Sequence, residues 1–354
     1  MIKTISIFFV LVLASTALAY YSPLVFPEDS PLGFFEDFDS MYISVYTFTS
    51  EDIGSVIQNK NVILLIEGSP VGGIPDRELL CSLKIPVYLY DGNKRYMHAK
   101  YAIKDNSSFF VSSENFGSFS NRGWGVVSDN RQETNKLVKT FFEDLDQSER
   151  LMCISNDNNI KELVQSVAKI SQLPEFIPGD VIVFTDNCLE HLVSLIRSSD
   201  KLRIQQFYFH KNWGNKESPL IAELVGKDVK VLLDGEWYNR EKNNETVGYL
   251  LSKGINAKIE DTDMKVHLKG MILDNDRVLV SSINWNENSI MRNREVGVVV
   301  HGDVSKFVNV FENDWNENQI EQEKNNLLVN IVIFICVVSL GWMLAKRKDQ
   351  LSLK

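Results

Sequence analysis

The chain has 354 residues, 44% hydrophobic and 10% aromatic, with 37 basic against 47 acidic side chains and a formal charge of −10. That length holds two medium domains or one double domain, and the composition is that of a folded chain. The acidic balance excludes a broadly basic coat for indiscriminate nucleic-acid binding, while leaving room for a locally positive cleft.

The chain opens with MIKTISIFFVLVLASTALAYYS. Lys3 is a short basic region, an apolar run follows, and Ala-Leu-Ala ends at Ala19. This predicts a secretory signal peptide over 1–19. From 20 to 150, strand and helix candidates alternate. MYISVYTF and NVILLIEG read as strands. HAKYAIKD and FFVSSEN read as the arms of a hairpin, NRGWGVV as a further strand, and NKLVKTFFEDL as an amphipathic helix. SNDNN and SQLPEFIPGD mark a linker over 151–180. The same order then returns over 181–320 as LRIQQFYF, DVKVLLDG, HLKGMILD, VLVSSIN, NREVGVV and SKFVNVFENDW. Near the end, the apolar run 327–345 is followed by Lys-Arg-Lys. It predicts one transmembrane helix with a cytoplasmic tail over 346–354. The expected product is a single-pass cell-membrane protein whose body is extracellular or lumenal.

The repeat is close in detail. His98, Lys100, Asp105, Ser113 and Asn115 recur as His267, Lys269, Asp274, Ser282 and Asn284, each shifted by 169 residues. In a strand, side chains alternate between faces, so the histidine and the lysine two residues on share a face and the aspartate does not. The aspartate opens a turn instead. A duplicated α/β unit with one His and one Lys per copy suggests a single site at a pseudo-twofold interface. The chemistry fits phosphodiester attack. One imidazole forms a phosphohistidine, the other protonates the leaving oxygen and later activates water, and lysines and asparagines hold the non-bridging oxygens. The pattern calls for no cofactor and no metal.

The pattern His-x-Lys-x4-Asp, followed by Ser and Asn at fixed distances in both copies, resembles the phospholipase D superfamily. Where many members have Gly before the Ser, this chain has Ser112 and Ser281. The resemblance covers nearly the whole body. It implies a duplicated, two-lobed α/β/α sandwich with the site between the lobes, and cleavage of phosphodiesters through a phosphohistidine. Carried over by position, His98, His267, Lys100, Lys269, Asp105 and Asp274 form the catalytic set, with Ser113, Ser282, Asn115 and Asn284 binding substrate. Glu295 follows Asn-Arg in the second copy where Gly123 follows it in the first. The resemblance implies that Glu295 orients His98 as nucleophile, leaving His267, without such a partner, as general acid.

Plainer readings compete at several positions. Asp105 and Asp274 sit where turns favour Asp for local reasons. Tyr46, Phe48, Phe207 and Phe209 read as core or cleft aromatics, core being the preferred reading. His210 reads as a solvated loop residue, and His191 and His301 as structural. Cys81, Cys153 and Cys188 allow one internal disulfide without fixing the pair. Asn106 and Asn244 match the glycosylation pattern, but Asn106 is expected to lie inside the site, which argues against its modification. The expected substrate is single-stranded or short nucleic acid, favoured by compactness and by aromatics at strand ends. A phospholipid is the alternative favoured by the tether, and a non-catalytic receptor is the reading from another class. Oligomeric state is left open.

Overall fold

The computed structural model describes residues 21–153, 181–184, 188–260 and 264–317. The expected signal peptide over 1–19, the transmembrane segment 327–345, the tail and most of 151–180 lie outside the described residues. Among the described residues, no helix is long and apolar enough to cross a membrane.

Alternating and continuous apolar runs form two sheets. Strands β1 (Tyr21–Phe26), β2 (Met41–Val45), β3 (Val62–Glu67), β4 (Val87–Tyr90), β5 (Lys100–Lys104), β6 (Ser108–Ser112), β7 (Gly123–Ser128) and β8 (Ser148–Arg150) make the first. Its order is β1-β7-β6-β5-β2-β3-β4-β8. The second copy contributes β9 (Val181–Phe184), β10 (Lys201–Gln206), the small pair β11 (Asn212–Trp213) and β12 (Lys216–Glu217), and then β13 (Asp228–Asp234). It continues with β14 (Asn256–Glu260), β15 (Lys269–Leu273), β16 (Arg277–Ser281) and β17 (Glu295–His301). The second sheet runs β14-β13-β10-β15-β16-β17-β9. Read from its other end, this is the first sheet strand for strand, without β8. In each sheet the first-paired strands are parallel (β2 with β3, β10 with β13), and the hairpin strands that follow are antiparallel.

Three hydrophobic clusters fill the space. Two are private to one lobe each. The third is shared: Tyr101, Ile103 and Trp124 of the first lobe pack with Ile272, Val296 and Val298 of the second. Leu137, Val138 and Phe141, from the helix Arg131–Leu145, join it, as do Phe307, Phe311 and Trp315 from the helical stretch 305–317. Both segments thus turn their predicted apolar stripe to the middle of the molecule. Gly270 is a contact that only glycine permits, since a Cβ there would lie 2.4 Å from the buried Trp124 ring of the other lobe.

Two buried ion pairs cross the same seam with matching geometry. Arg294 reaches Asp144 at 2.9 Å, and Arg122 reaches Asp314 at 3.2 Å. Of the three cysteines left open by the sequence, Cys81 and Cys153 form the disulfide, with Cα atoms 5.6 Å apart. Cys188 is free and buried.

Candidate active site

Each motif histidine ends a short segment that crosses to the other lobe. The His98 amide donates to the Arg294 carbonyl at 2.8 Å, and the Arg294 amide donates to the Tyr96 carbonyl at 2.8 Å. The second copy repeats this, with the His267 amide on the Arg122 carbonyl at 3.0 Å and the Arg122 amide on the Lys265 carbonyl at 2.8 Å. A carboxylate at the end of a neighbouring strand holds each segment from behind. Glu67 accepts the Met97 amide at 2.6 Å, and Asp234 accepts the Val266 amide at 3.1 Å. Burial raises both acids, Asp234 to about 6.

Lys100 and Lys269 open β5 and β15 with fully buried side chains. Each Nζ donates to the carbonyl of its own histidine, at 2.6 Å for Lys100 and 2.5 Å for Lys269. An ammonium has three donors, so a buried anion would meet unspent capacity. Desolvation pulls both lysines down, Lys100 to about 8, against the pull of Glu295 and Glu114. The lobes feel each other here. Lys269 depresses His98, Lys100 depresses His267, and Lys100 depresses Lys269. The bonds from His98 to Glu295 and from His267 to Glu114 cross between the lobes and bring the two copies into one site.

The histidines are backed by carboxylates from opposite lobes. His98 Nδ1 lies 2.8 Å from Glu295 Oε2. Glu295 is buried, and it accepts from Ser282 Oγ at 2.5 Å and Asn293 Nδ2 at 3.0 Å. His267 is not the unpartnered imidazole expected from Gly123. Its Nδ1 lies 3.1 Å from Glu114 Oε1, and Asn121 holds the other carboxylate oxygen at 2.8 Å. The acid has moved to the neighbouring strand end. At the Glu114 position the second copy has Ile283, and at the Glu295 position the first copy has Gly123. A Cβ on Gly123 would lie 2.7 Å from Glu114 Cγ, so the missing side chain makes room for the relocated one. Burial lowers both imidazoles despite these acids, His267 to about 3, while the histidines hold Glu114 and Glu295 ionised below the ordinary range. Each Nδ1 being committed to a carboxylate leaves Nε2 as the reactive nitrogen.

Asn115 and Asn284 also meet the expectation of a paired arrangement. Both are partly exposed, yet the Oδ1 of each is buried without a hydrogen-bond partner. A buried polar atom without a partner is costly; as acceptors, these oxygens leave any contact with phosphate oxygens to the amide Nδ2 groups.

Ser113 and Ser282, expected to bind substrate, are engaged within the protein. Both are fully buried, Ser113 accepting the Trp124 amide at 2.9 Å and Ser282 holding Glu295. Asp105 and Asp274, expected in the catalytic set, lie at the far ends of β5 and β15 from the lysines. Asp105 Oδ1 accepts the Asp39 and Ser40 amides, and Asp274 Oδ1 the Asp200 and Lys201 amides, at 2.8–3.0 Å. Asn106 shares that turn with Asp105 and is exposed, away from the site.

Of the aromatics expected in the core, Phe48 and Phe209 are buried there. Tyr46 and Phe207 line the site instead, edge-on to His98 at 5.0 Å and to His267 at 4.7 Å. Glu114, Glu67, Asp234 and the Asn121/Asn293 pair were missed by the sequence reading. The matched Asn-Arg dipeptides held a signal for the last of these.

Residues 192–315 match a family model described as "Cardiolipin synthase, PLD-like domain". No curated protein matches. Among solved structures, the chain is similar to phosphatidylserine synthase from Haemophilus influenzae Rd KW20, with TM-score 0.56 and 14% identity over 80% of this chain and 82% of that one. It is also similar to polyphosphate kinase from Porphyromonas gingivalis, with TM-score 0.55 and 10% identity over 84% of this chain and 50% of that one. The chain thus spans half the length of the kinase. At these identities the likeness is one of fold.

Proposed function

We propose that this chain is a member of the phospholipase D superfamily, a reading supported by the family-model match over 192–315, and a phosphodiesterase that works through a phosphohistidine on His98. The observation that carries the reading is the convergence of two carboxylate-backed histidines and two buried lysines from opposite lobes. His98 Nε2 attacks phosphorus, and the bond to the leaving oxygen breaks as His267 gives that oxygen a proton. Water then attacks phosphorus, His267 takes its proton, and the N–P bond breaks. The shorter bond to Glu295 makes His98 the more basic imidazole and the better nucleophile. His267, pushed down by burial and by Lys269, is a strong acid once protonated. The substrate's charge raises it toward protonation, because an anion set between the lysines offsets their repulsion. Lys100, Lys269, Asn115 and Asn284 hold the non-bridging oxygens as charge grows.

The substrate is nucleic acid, single-stranded or short, in preference to phospholipid, because the site is walled by aromatic rings and cations. The body is exported and membrane-tethered, a reading supported by the apolar ends of the chain and by a disulfide typical of oxidising compartments. The test is turnover of bis-p-nitrophenyl phosphate and of labelled oligonucleotides in EDTA. Activity that survives chelation and disappears in His98→Ala is expected. Restoration by a divalent ion after loss in EDTA would contradict the mechanism.

A further inference from the structure

The two halves of the site differ in what leads away from it. On the His267 side, the residue two before the histidine is Lys265, whose Nζ sits 5.5 Å over the Phe207 ring. On the His98 side the same position is Tyr96. Its ring stands 5.9 Å from that of Tyr46, edge to face, and Tyr46 is itself 5.0 Å from His98. The Arg95 guanidinium lies 5.5 Å over the Tyr96 ring. Three groups therefore run outward from the histidine in the order Tyr46, Tyr96, Arg95.

Each is held without being used up. The Tyr46 hydroxyl accepts the Val71 amide at 2.8 Å, which fixes that ring. The backbone of Tyr96 is locked into the seam by Arg294, while its side chain stays half-exposed. Arg95 donates to Asn288 Oδ1 of the other lobe at 3.1 Å, is exposed, and has no carboxylate partner among the described residues. In a chain of net charge −10, a cation left without an acid beside a phosphate site is a feature to explain.

We propose that Tyr46, Tyr96 and Arg95 form a stacking subsite for a nucleobase next to the scissile phosphate on the His98 side, with Arg95 taking the following backbone phosphate. Bases stack on aromatic faces without regard to sequence, and arginine adds both a planar partner and a charge for phosphate. A quaternary ammonium headgroup fits poorly, because Arg95 already places a cation on the Tyr96 ring. The inference rests on the phosphodiesterase reading and gives it a substrate class.

Binding tests it independently of turnover. The His98→Ala protein, which cannot cleave, is titrated with fluorescein-labelled hexathymidylate and with the same strand carrying abasic residues. Base stacking predicts roughly 5- to 150-fold tighter binding of the strand with bases. Tyr96→Ala should erase the preference and Tyr96→Phe should keep it, which separates stacking from folding. Arg95→Ala should weaken both strands and lower the salt slope by about 0.7, the value for one single-strand phosphate contact. Equal binding of the two strands by the parent protein would overturn the subsite, as would a preference that survives Tyr96→Ala. Vesicles of phosphatidylglycerol with cardiolipin, given to the protein with His98 intact beside the labelled strands, form the lipid arm. Cleavage of these alone, with no preference for bases, would remove the nucleic-acid assignment and leave the histidine chemistry standing. Absence of all turnover would instead count against the phosphodiesterase reading, whatever the strands show.

Discussion

At the scale of single residues, the two halves reach the same end by different routes. A carboxylate reaches each histidine from the opposite lobe, at position 295 in one case and 114 in the other. Gly123 is the complement of Glu114, because a side chain there would collide with it. Glu114→Gln keeps the shape and removes the charge. It should lower turnover of an ordinary alcohol ester by about 10–100-fold, a share of the ~10²–10⁴-fold expected of general acid catalysis. It should cost much less with p-nitrophenyl esters, whose leaving group departs unprotonated. Equal losses on both substrates would contradict an acid role for His267. The pH profile follows from the same contacts. Burial holds both imidazoles below the ordinary histidine range, so neutral His98 persists while protonated His267 grows more abundant, and kcat/KM should not fall as pH drops through 6.5. Lys100, drawn down to about 8 by burial, is active when protonated, so kcat/KM should fall as pH rises through about 8. A profile that collapses at pH 6.5 would speak against this electrostatic arrangement.

At the scale of elements, the hairpin after each histidine explains what the motif aspartates do. Asp105 and Asp274 take left-handed backbone, at φ 51° each, and their side chains close the turn onto the strand start in front of it. They tie the far ends of β5 and β15 to the starts of β2 and β10, and so fix the antiparallel register in which Lys100 and Lys269 stand. Asp274→Ala should cost about 0.5–1.5 kcal/mol of stability, the net range for an intramolecular hydrogen bond whose donors can turn to water, with kcat nearly unchanged in protein that stays folded. A kcat loss of a hundredfold or more at full stability would return the aspartate to the chemistry. Much of this was legible in the sequence. Period-two alternation placed His98 beside Lys100 and put Asp105 on the other face, and the repeat placed both hairpins. The relocated acid was not legible, because Glu114 and Gly123 are linked only by the packing of adjacent strand ends. Tyr46 and Phe207 were misread for a related reason. At the end of a strand, the same ring can finish the core or roof a cleft, and only the facing lobe decides which.

At the scale of the whole molecule, two lobes share one interior, and the seam that joins them also aims the site. Arg294 pairs with Asp144, while its backbone meets Tyr96 and His98. Asp144→Asn would leave a buried guanidinium without its counter-charge, a change worth about 3–5 kcal/mol. Stability and turnover should fall together, and loss of neither would show that the seam tolerates disorder. The shared interior also makes the central claim a claim about both copies acting on one phosphate. Trapping the covalent intermediate tests it most directly. Quenching the His267→Ala protein with a substrate labelled at phosphorus, followed by peptide mapping, should place acid-labile, base-stable phosphate on His98, longer-lived than in the parent protein. Label on His267, or no covalent label during active turnover, would contradict the account.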